Sequence, residues 1–396
     1  MRSDRLSISS NMSTVPIVYH YVAHYREPVF RALLAIEHEP GIRFVIAAGT
    51  SSNIESLRLV DRDALESDYP GCWIPLTNIW LRQHILWQRG LFPFLWRSRP
   101  TAIIFLGDFH FVSTWVGALL VRLRGGKVFM WTHGMLRREK GLKRAARLAF
   151  YSLAHGLLVY GHRARMLLRE AGYPEERVHV IFNSLDHEKQ LAVRRELLNY
   201  PSEAVRRKML GFGGRKILLF VGRLDSAKGL DLLFHSLRDI VEKGCDAFLL
   251  CVGDGPARRQ FEQLTRELGI QDRVRFWGSC YDEEVLGALY YLSDLSVSPG
   301  PVGLFAIHSL VYGTPIVIND ALDMNGPECE AITDGVTGAF FRNGSVHSLS
   351  DTILRALELL KKPGVMESCF RAVDGRYTPS NQAAIISTIV TAAISR

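Results

Sequence analysis

The sequence has little of what marks a metal, disulfide or membrane-spanning protein. Its 396 residues include six cysteines, at positions 72, 245, 251, 280, 329 and 369, without a Cys-x-x-Cys pair or a Cys/His cluster at metal-ligand spacing. We therefore expect reduced, mostly buried thiols, and neither zinc nor disulfides. The most apolar stretch, residues 103–121, is interrupted by Asp108 and His110, so it predicts a strand followed by a helix and no transmembrane span.

The N-terminal segment also lacks an apolar core. Residues 1–14 are polar and Ser-rich, which predicts a loose tail and no secretory signal. A cytoplasmic location is the expectation. No repeat occurs at the periods typical of solenoid proteins.

What the chain does have is enough apolar sequence for two ordinary globular cores and an uneven charge. Apolar residues make up 47% and charged residues 22%. Residues 1–195 carry 27 Lys and Arg against 16 Asp and Glu, whereas residues 196–396 carry 21 against 24. The first half should attract anions, and an anionic membrane surface or an acidic lipid-linked acceptor would both fit. Nucleic acid is the least favoured partner, because no RNA- or DNA-reading motif accompanies the basic excess.

Short apolar runs alternate with amphipathic helical stretches, which predicts repeated βαβ units with largely parallel sheets. The alternation pauses over residues 186–214, a charged segment that is the candidate linker, and resumes at Lys216. We predict a tail over 1–14, a first domain over 15–200, a second over 201–378 and a terminal helix over 379–396. The predicted strands are 15–21, 42–48, 102–106, 127–131, 156–160 and 178–182, then 216–221, 247–252, 274–277, 295–298, 315–318 and 338–341.

The segment Val221–Gly229 follows one of these strands and precedes a predicted helix near Leu230. Gly222 lets the backbone approach a ligand closely, and Arg223 and Lys228 offer two cations at the mouth of the helix. This arrangement is suited to a diphosphate. A surface loop with two solvated cations is the alternative.

Several further landmarks follow in order. They are Phe248–Pro256 with Gly253 after the strand, Val274–Gly278, Leu295–Gly300 and Gly313–Ile318, preceded in the first half by Tyr25–Leu33, Trp131–Gly134 and Val180–Asp186. In order and spacing they resemble the family 4 retaining glycosyltransferases of the GT-B fold. The likeness is strongest over residues 215–345. For Gly253 a plain strand-to-helix turn is an equally good explanation.

The resemblance implies an α/β chain of two facing, doubly wound, Rossmann-like domains with an interdomain cleft, the last helix crossing back onto the first domain. It implies a nucleotide-diphosphate sugar as donor, with Arg223 and Lys228 stabilising the departing diphosphate. No metal, cofactor or protein nucleophile is expected.

The chain departs from the family pattern at two positions. Family members usually carry two glutamates eight positions apart, one near the donor sugar and one on the ribose, but Gly300 and His308 stand at these positions. The donor-binding set implied by the resemblance is otherwise kept, with Gly303, Leu304 and Phe305 at a helix start. Three explanations stay open: a subgroup that binds the donor differently, a changed donor, or a dead catalytic domain. His308 could bond a ribose hydroxyl or be structural.

Two other carboxylates lie nearby in sequence. Glu328 and Glu330 precede the Asp334-Gly335 turn, and Glu330 matches the family by register. Either could replace the missing acceptor for sugar or ribose hydroxyls. Solvated loop carboxylates are the alternative.

The acceptor side has weaker signals. His133 follows a strand and precedes Gly134, where open α/β sheets present ligand crevices, and the resemblance implies that it faces the donor sugar. Helix capping is the alternative. His24 and Arg26 follow the first strand and could recognise an acceptor phosphate or acid, or form a hydrogen-bonded turn.

Two segments suggest a membrane surface. Residues 137–147 contain six basic residues and one acid, and residues 79–96 combine tryptophans and phenylalanines with arginines. The alternatives are a solvated helix face and an ordinary aromatic core helix.

Together these features predict a cytoplasmic retaining glycosyltransferase, peripheral on the membrane, that transfers a sugar from a nucleotide-diphosphate donor to a lipid- or saccharide-linked acceptor. A GT-B sugar-nucleotide epimerase and a non-catalytic sugar-nucleotide-binding module are the alternatives.

Overall fold

The computed structural model describes residues 13–36, 41–52, 57–81, 84–200, 214–359 and 363–395. Its chain forms two compact units. The first runs to Phe182 and resumes at Pro379, and the second spans Asn183–Thr378.

The first unit has an eight-stranded sheet in the order β4-β3-β2-β1-β5-β6-β7-β8, parallel except for the antiparallel pair β3 and β4. Its strands are β1 (Ser13–Tyr19), β2 (Ile42–Gly49), β3 (Trp73–Leu81), β4 (Ile85–Arg89), β5 (Ala102–Leu106), β6 (Lys127–Thr132), β7 (Gly156–Val159) and β8 (Val178–Val180). Its helices are α1 (Glu27–Leu34), α2 (Arg62–Asp68), α3 (Leu91–Ser98), α4 (Val112–Leu123), α5 (Gly141–Ser152), α6 (His162–Glu170) and, from the C-terminus, α14 (Pro379–Ile394).

The second unit has a six-stranded, all-parallel sheet in the order β11-β10-β9-β12-β13-β14. Its strands are β9 (Lys216–Val221), β10 (Ala247–Val252), β11 (Val274–Gly278), β12 (Leu295–Ser298), β13 (Ile316–Asn319) and β14 (Gly338–Phe341). Its helices are α7 (His187–Leu198), α8 (Leu230–Glu242), α9 (Arg258–Glu267), α10 (Glu283–Leu292), α11 (Leu304–Val311), α12 (Val346–Leu359) and α13 (Val365–Val373).

Burial on both faces explains why the central strands are continuously apolar. β10 is buried along its whole length, as are β12 and β13. Parallel strands covered by helices on both sides require this composition, since no side chain faces water. In the first unit the fully buried Trp131 stacks on Phe30 of α1, and α14 packs against α1.

The predicted α/β fold with two parallel sheets is confirmed, and the predicted strands coincide with observed ones. The β3–β4 hairpin was missed, because its sequence combines prolines, tryptophans and charges without clean alternation. The units divide between Phe182 and Asn183, earlier than the expected boundary at 200, because α7 packs against α10 and α11 of the second unit. The Gly-rich end of the expected linker, Gly211–Gly213, lies outside the described residues.

All six cysteines lie within the described residues and none forms a disulfide; Cys72, Cys251, Cys329 and Cys369 are buried. Within the ranges given above, no helix is long and apolar enough to cross a bilayer.

Candidate functional site

Three loops meet at the carboxyl ends of β9, β10 and β12 in the second unit. The loop after β9 is bonded to the loop after β10 through Gly222 N to Val252 O at 2.9 Å and Leu224 N to Asp254 O at 3.0 Å. Gly253 has a φ of 137°, and a Cβ there would lie 1.9 Å from the Gly222 carbonyl oxygen. Only glycine permits this approach, so Gly253 shapes the loop that carries Arg223.

Arg223 and Lys228 both lie on the β9–α8 loop, as predicted from the sequence. The Arg223 side chain is exposed and makes no hydrogen bond or ion pair with any described residue. Lys228 is half-buried, and its Nζ donates to the Pro301 carbonyl oxygen at 3.4 Å. That contact directs the ammonium group toward the loop after β12.

Gly300 is the closest point between the β9 and β12 loops. A Cβ at Gly300 would lie 2.6 Å from the Lys228 carbonyl oxygen and 2.7 Å from that of Ala227. Backbone stands on both sides, so no side chain fits without moving a loop. Gly300, which stands at the position of a family glutamate, therefore lies where the two loops of this chain approach each other closely.

Two buried asparagines, which the sequence analysis did not identify as site residues, fix the β12–α11 loop. Asn319 Nδ2 donates to the Gly300 carbonyl oxygen at 2.9 Å, and the Val302 amide donates to Asn325 Oδ1 at 3.0 Å. The two side chains also bond each other, through Asn325 Nδ2 and Asn319 Oδ1 at 3.2 Å. A polar residue ending the buried strand β13 was the available signal, since buried amides need partners.

The two candidate glutamates, Glu328 and Glu330, differ in burial. Glu328 is 3% exposed and accepts from Asn183 Nδ2 at 2.5 Å. Its other carboxylate oxygen would lie 3.9 Å from a Cβ on Gly303, so the carboxylate stands beside the start of α11. Glu330 is half-buried, and its charge raises the pKa of Tyr377, an effect second to that of burial. Glu328 therefore lies beside the β12–α11 loop, and the charges of Glu328 and of the register match Glu330 both raise the pKa of Tyr377.

His308 is held by a carboxylate. Its Nε2 is 2.8 Å from Glu283 Oε1, which also accepts from the Tyr312 hydroxyl at 2.6 Å. Burial raises the pKa of Glu283, but the charge of His308 and hydrogen bonds from His308, Tyr312 and Gln190 outweigh it, so the pKa is lowered. The His308 ring also lies 4.6 Å from that of Tyr290. His308 thus has a structural contact: its hydrogen bond to Glu283 joins α11 to α10.

The start of α11 contains the other donor-binding candidates. Gly303 precedes the helix with a φ of −141° and a ψ of −130°, and Leu304 is the first residue of the helix. Phe305 packs into the core, with its ring 6.0 Å from that of Phe220. The amides of this first turn lie beside the loop that contacts Lys228.

In the first unit, Arg26 and His133 share one aromatic neighbour at the carboxyl ends of the strands. Arg26 is buried, and its guanidinium carbon lies 5.0 Å from the ring centre of Tyr160 and 5.8 Å from that of Trp131. The His133 ring lies 4.7 Å from Tyr160. Burial and the positive charge of Arg26 lower the pKa of His133 to about 4, so the imidazole is neutral at pH 7. A neutral imidazole can both donate and accept a hydrogen bond.

His24 has a different environment from Arg26 and His133, because its ring bonds a backbone carbonyl group. Its Nδ1 lies 3.1 Å from the Arg58 carbonyl oxygen, which is the hydrogen-bonded turn considered as its alternative. His20, at the end of β1, is packed among aromatic rings, 5.7 Å from Phe111 and 6.3 Å from Trp80. Burial lowers the pKa of His20 to about 4, an effect opposed by Asp108.

Among the described residues, no group of three or more His, Cys, Asp or Glu side chains is arranged to hold a metal ion.

Sequence comparisons concern mainly the second unit. Residues 202–368 match the model of the family described as "Glycosyl transferases group 1". The chain is 29% identical over 216 residues to an alpha-D-kanosaminyltransferase of Streptomyces kanamyceticus, covering 52% of each protein. It is 32% identical over 160 residues to a glycogen synthase of Bacillus anthracis, covering 38% of this chain and 32% of that one. The chain thus spans about half or less of the length of these curated relatives.

The similar solved structures cover nearly the whole chain. A glycosyltransferase of Rickettsia africae ESF-5 gives a TM-score of 0.74 at 14% identity, covering 98% of this chain and 100% of that one. Anabaena HepE in complex with UDP gives a TM-score of 0.70 at 16% identity, covering 96% of this chain and 100% of that one. At these identities the likeness concerns the fold.

Proposed function

Because residues 202–368 match the model of the group 1 glycosyl transferases and the chain has the GT-B fold, we propose that this protein is a retaining glycosyltransferase. Its donor is a nucleotide-diphosphate sugar, and its acceptor is a lipid- or saccharide-linked glycan. The observation that carries the proposal is the β9–α8 loop, where two cations precede a helix start and Lys228 reaches toward the loop after β12.

In this proposal the second unit holds the diphosphate. The exposed guanidinium of Arg223 binds phosphate oxygens in its planar fork, and Lys228 adds a compact charge. Negative charge develops on the diphosphate as the glycosidic bond breaks, so these cations stabilise the transition state more than the ground state. No metal is needed for this step. The UDP bound to HepE supports a nucleoside diphosphate as ligand.

We propose Glu328 as the carboxylate that accepts hydrogen bonds from donor hydroxyls. It is supported by its position beside Gly303, close to the loop that contacts Lys228. Asn183 orients the carboxylate through Oε1. Glu330 is the alternative, and the charges of both glutamates raise the pKa of Tyr377.

The acceptor side of the proposal rests on the first unit. Neutral His133 and buried Arg26 share Tyr160 as a neighbour, a pairing suited to a sugar hydroxyl and an acidic group. His24 contributes less, since its ring already bonds a carbonyl. The relatives named above are a transferase and a synthase, which favours transfer over epimerisation.

The test begins with the donor. Thermal unfolding of the full chain is measured with UDP, GDP, ADP and their sugar conjugates, because a ligand that binds the folded state raises Tm. The best donor is then incubated with and without candidate acceptors, and the anomeric configuration of the product is determined. Retained configuration in an acceptor-dependent product is expected. An epimerised sugar nucleotide without acceptor, or tight binding without any turnover, would contradict the proposal.

A further inference from the structure

Helix α4 has its small residues inside and its large apolar residues outside. The residues packed against the sheet are Ser113, Thr114, Gly117, Ala118 and Val121. A Cβ on Gly117 would lie only 3.1 Å from the Phe105 ring, so this side leaves no room for large side chains. The exposed large side chains are Val112, Val116, Leu119 and Leu123. Their spacing aligns them along one face of the helix.

Helix α3 extends this apolar surface. Trp96 is 62% exposed, and a groove of about 500 Å³ lies between Trp96, Phe92 and the α4 residues Val116 and Leu120. We call the set Phe92, Trp96, Val112, Val116, Leu119, Leu120 and Leu123 the α3–α4 face. With Leu123 at 78% and Leu119 at 48% exposure, it is a contiguous apolar patch of the kind that marks an interaction site.

The rim of the α3–α4 face is positively charged. Arg97 lines the groove, and the Arg124 guanidinium carbon lies 3.8 Å from the Trp96 ring centre. In the sequence around it, residues 69–136 contain seven Lys and Arg but one acid, Asp108. Two such faces would repel each other, so a second copy of this chain is disfavoured and an anionic partner is favoured.

The basic run 137–147 differs from this surface because acids within the unit compensate it. Arg147 and Lys143 both pair with Glu139, at 2.7 and 3.2 Å, and Arg138 pairs with Glu170 at 2.9 Å. The run therefore has less net charge to offer to a partner than its sequence suggests.

We propose that the α3–α4 face docks on an anionic lipid bilayer. The aliphatic side chains and Trp96 enter the boundary between headgroups and acyl chains, while Arg97 and Arg124 contact lipid phosphates. A tryptophan ring under an arginine suits this interface, where one side is apolar and the other is wet. Docking through the α3–α4 face would bring the protein to a lipid-linked acceptor. The docking itself does not depend on the transfer reaction.

The test is flotation of the full-length protein with vesicles of phosphatidylcholine alone or with 30% phosphatidylglycerol added, at low and high salt. We expect binding to the anionic vesicles that weakens with salt. The paired change Leu119→Ser and Leu123→Ser should weaken binding at least tenfold, and Arg97→Gln should weaken it on anionic vesicles. Leu142→Ser is the matched control, since Leu142 is 90% exposed on α5, outside the α3–α4 face.

The depth of Trp96 in the bilayer gives a second readout of docking. Brominated acyl chains should quench emission of the wild type, and the quenched fraction should fall in Trp96→Phe. Two results would overturn the proposal: no salt-sensitive flotation with anionic vesicles, or self-association in solution that the Leu119/Leu123 variant abolishes while flotation is unchanged. Near-ultraviolet circular dichroism checks that the variants are folded.

Discussion

Gly300 and Glu328 both lie next to the β12–α11 loop, which the proposed function makes part of the donor site. Gly300 stands at a glutamate position, and its neighbours Lys228 and Ala227 leave no space for a Cβ. Glu328, from the other side of the β12–α11 loop, brings a carboxylate beside Gly303. A carboxylate lost from one position is thus present near the same loop, from another segment of the chain.

Replacing Gly300 by alanine should destabilise the protein. The added methyl group meets two backbone carbonyl oxygens that cannot rotate away, so we expect the free energy of unfolding to fall by about 1–3 kcal/mol. Chemical denaturation measures this loss. Ser226→Ala, at an exposed position on the same β9–α8 loop, is the control and should leave the stability nearly unchanged. Equal stability of Gly300→Ala and the wild type would show that the loops are not in this close contact.

Replacing Glu328 by glutamine should weaken donor-sugar binding, because the amide retains the size but not the charge of the carboxylate. We expect the affinity for the sugar nucleotide to fall about tenfold, in line with a loss of about 1.4 kcal/mol, with a smaller effect on the nucleoside diphosphate. Titration calorimetry with both ligands measures the difference. Glu330→Gln should leave both affinities nearly unchanged, and an effect confined to Glu330→Gln would reverse the assignment.

At the scale of elements, α7 and α10 show how helices outside the sheet support the site. Glu283, the first residue of α10, accepts from His308 and Tyr312 of the α11 region. The α7 residue Arg194 donates to Asp374 at 2.8 Å and to the Val311 carbonyl oxygen at 3.0 Å. These bonds hold α11, whose first turn carries Gly303, Leu304 and Phe305.

The Glu283 contacts should make stability depend on pH. The pKa of Glu283 is lowered from its ordinary value of 4.5, so its stabilising contribution is complete above that pH and is lost as the pH falls through its folded-state pKa. Glu283→Gln should cost about 1–3 kcal/mol at pH 7, and the difference from the wild type should shrink below pH 4.5. Urea unfolding across this pH range measures it.

Glu284→Gln is the matched control, because Glu284 lies in the same helical turn but is exposed. It should leave both the stability and its pH dependence nearly unchanged. A pH-independent cost for Glu283→Gln, or an equal effect of the two variants, would contradict the account.

How far the sequence could predict these elements depended on whether the determinants were local. The strands with buried, continuous apolar runs were predictable, and so was the loop with Arg223 and Lys228 after β9. The bonds of Glu283 to His308 and of Glu328 to Asn183 were not, because they join residues 25 and 145 positions apart. Nor was α7, whose charged composition resembled a linker although Arg194 and His187 are buried.

At the scale of the whole molecule, the two units differ in charge and in chemistry. The second unit contains the acidic half of the sequence, with the cations Arg223 and Lys228 concentrated at one loop. The first unit is basic and carries both Arg26 near His133 and the apolar α3–α4 face. Our proposals accordingly place the donor diphosphate on the second unit, and the acceptor and the membrane surface on the first.

The central claim is that Arg223 and Lys228 bind the diphosphate of the donor. Calorimetric titration of the full chain should compare UDP, GDP and ADP with their nucleosides, for the wild type and for the double change Arg223→Met and Lys228→Met. Arg259→Met, an exposed arginine on α9, is the matched control. The account predicts that the wild type and the control prefer one diphosphate to its nucleoside at least a hundredfold, about 2.7 kcal/mol, and that the double variant loses this preference. An undiminished preference in the double variant would contradict it.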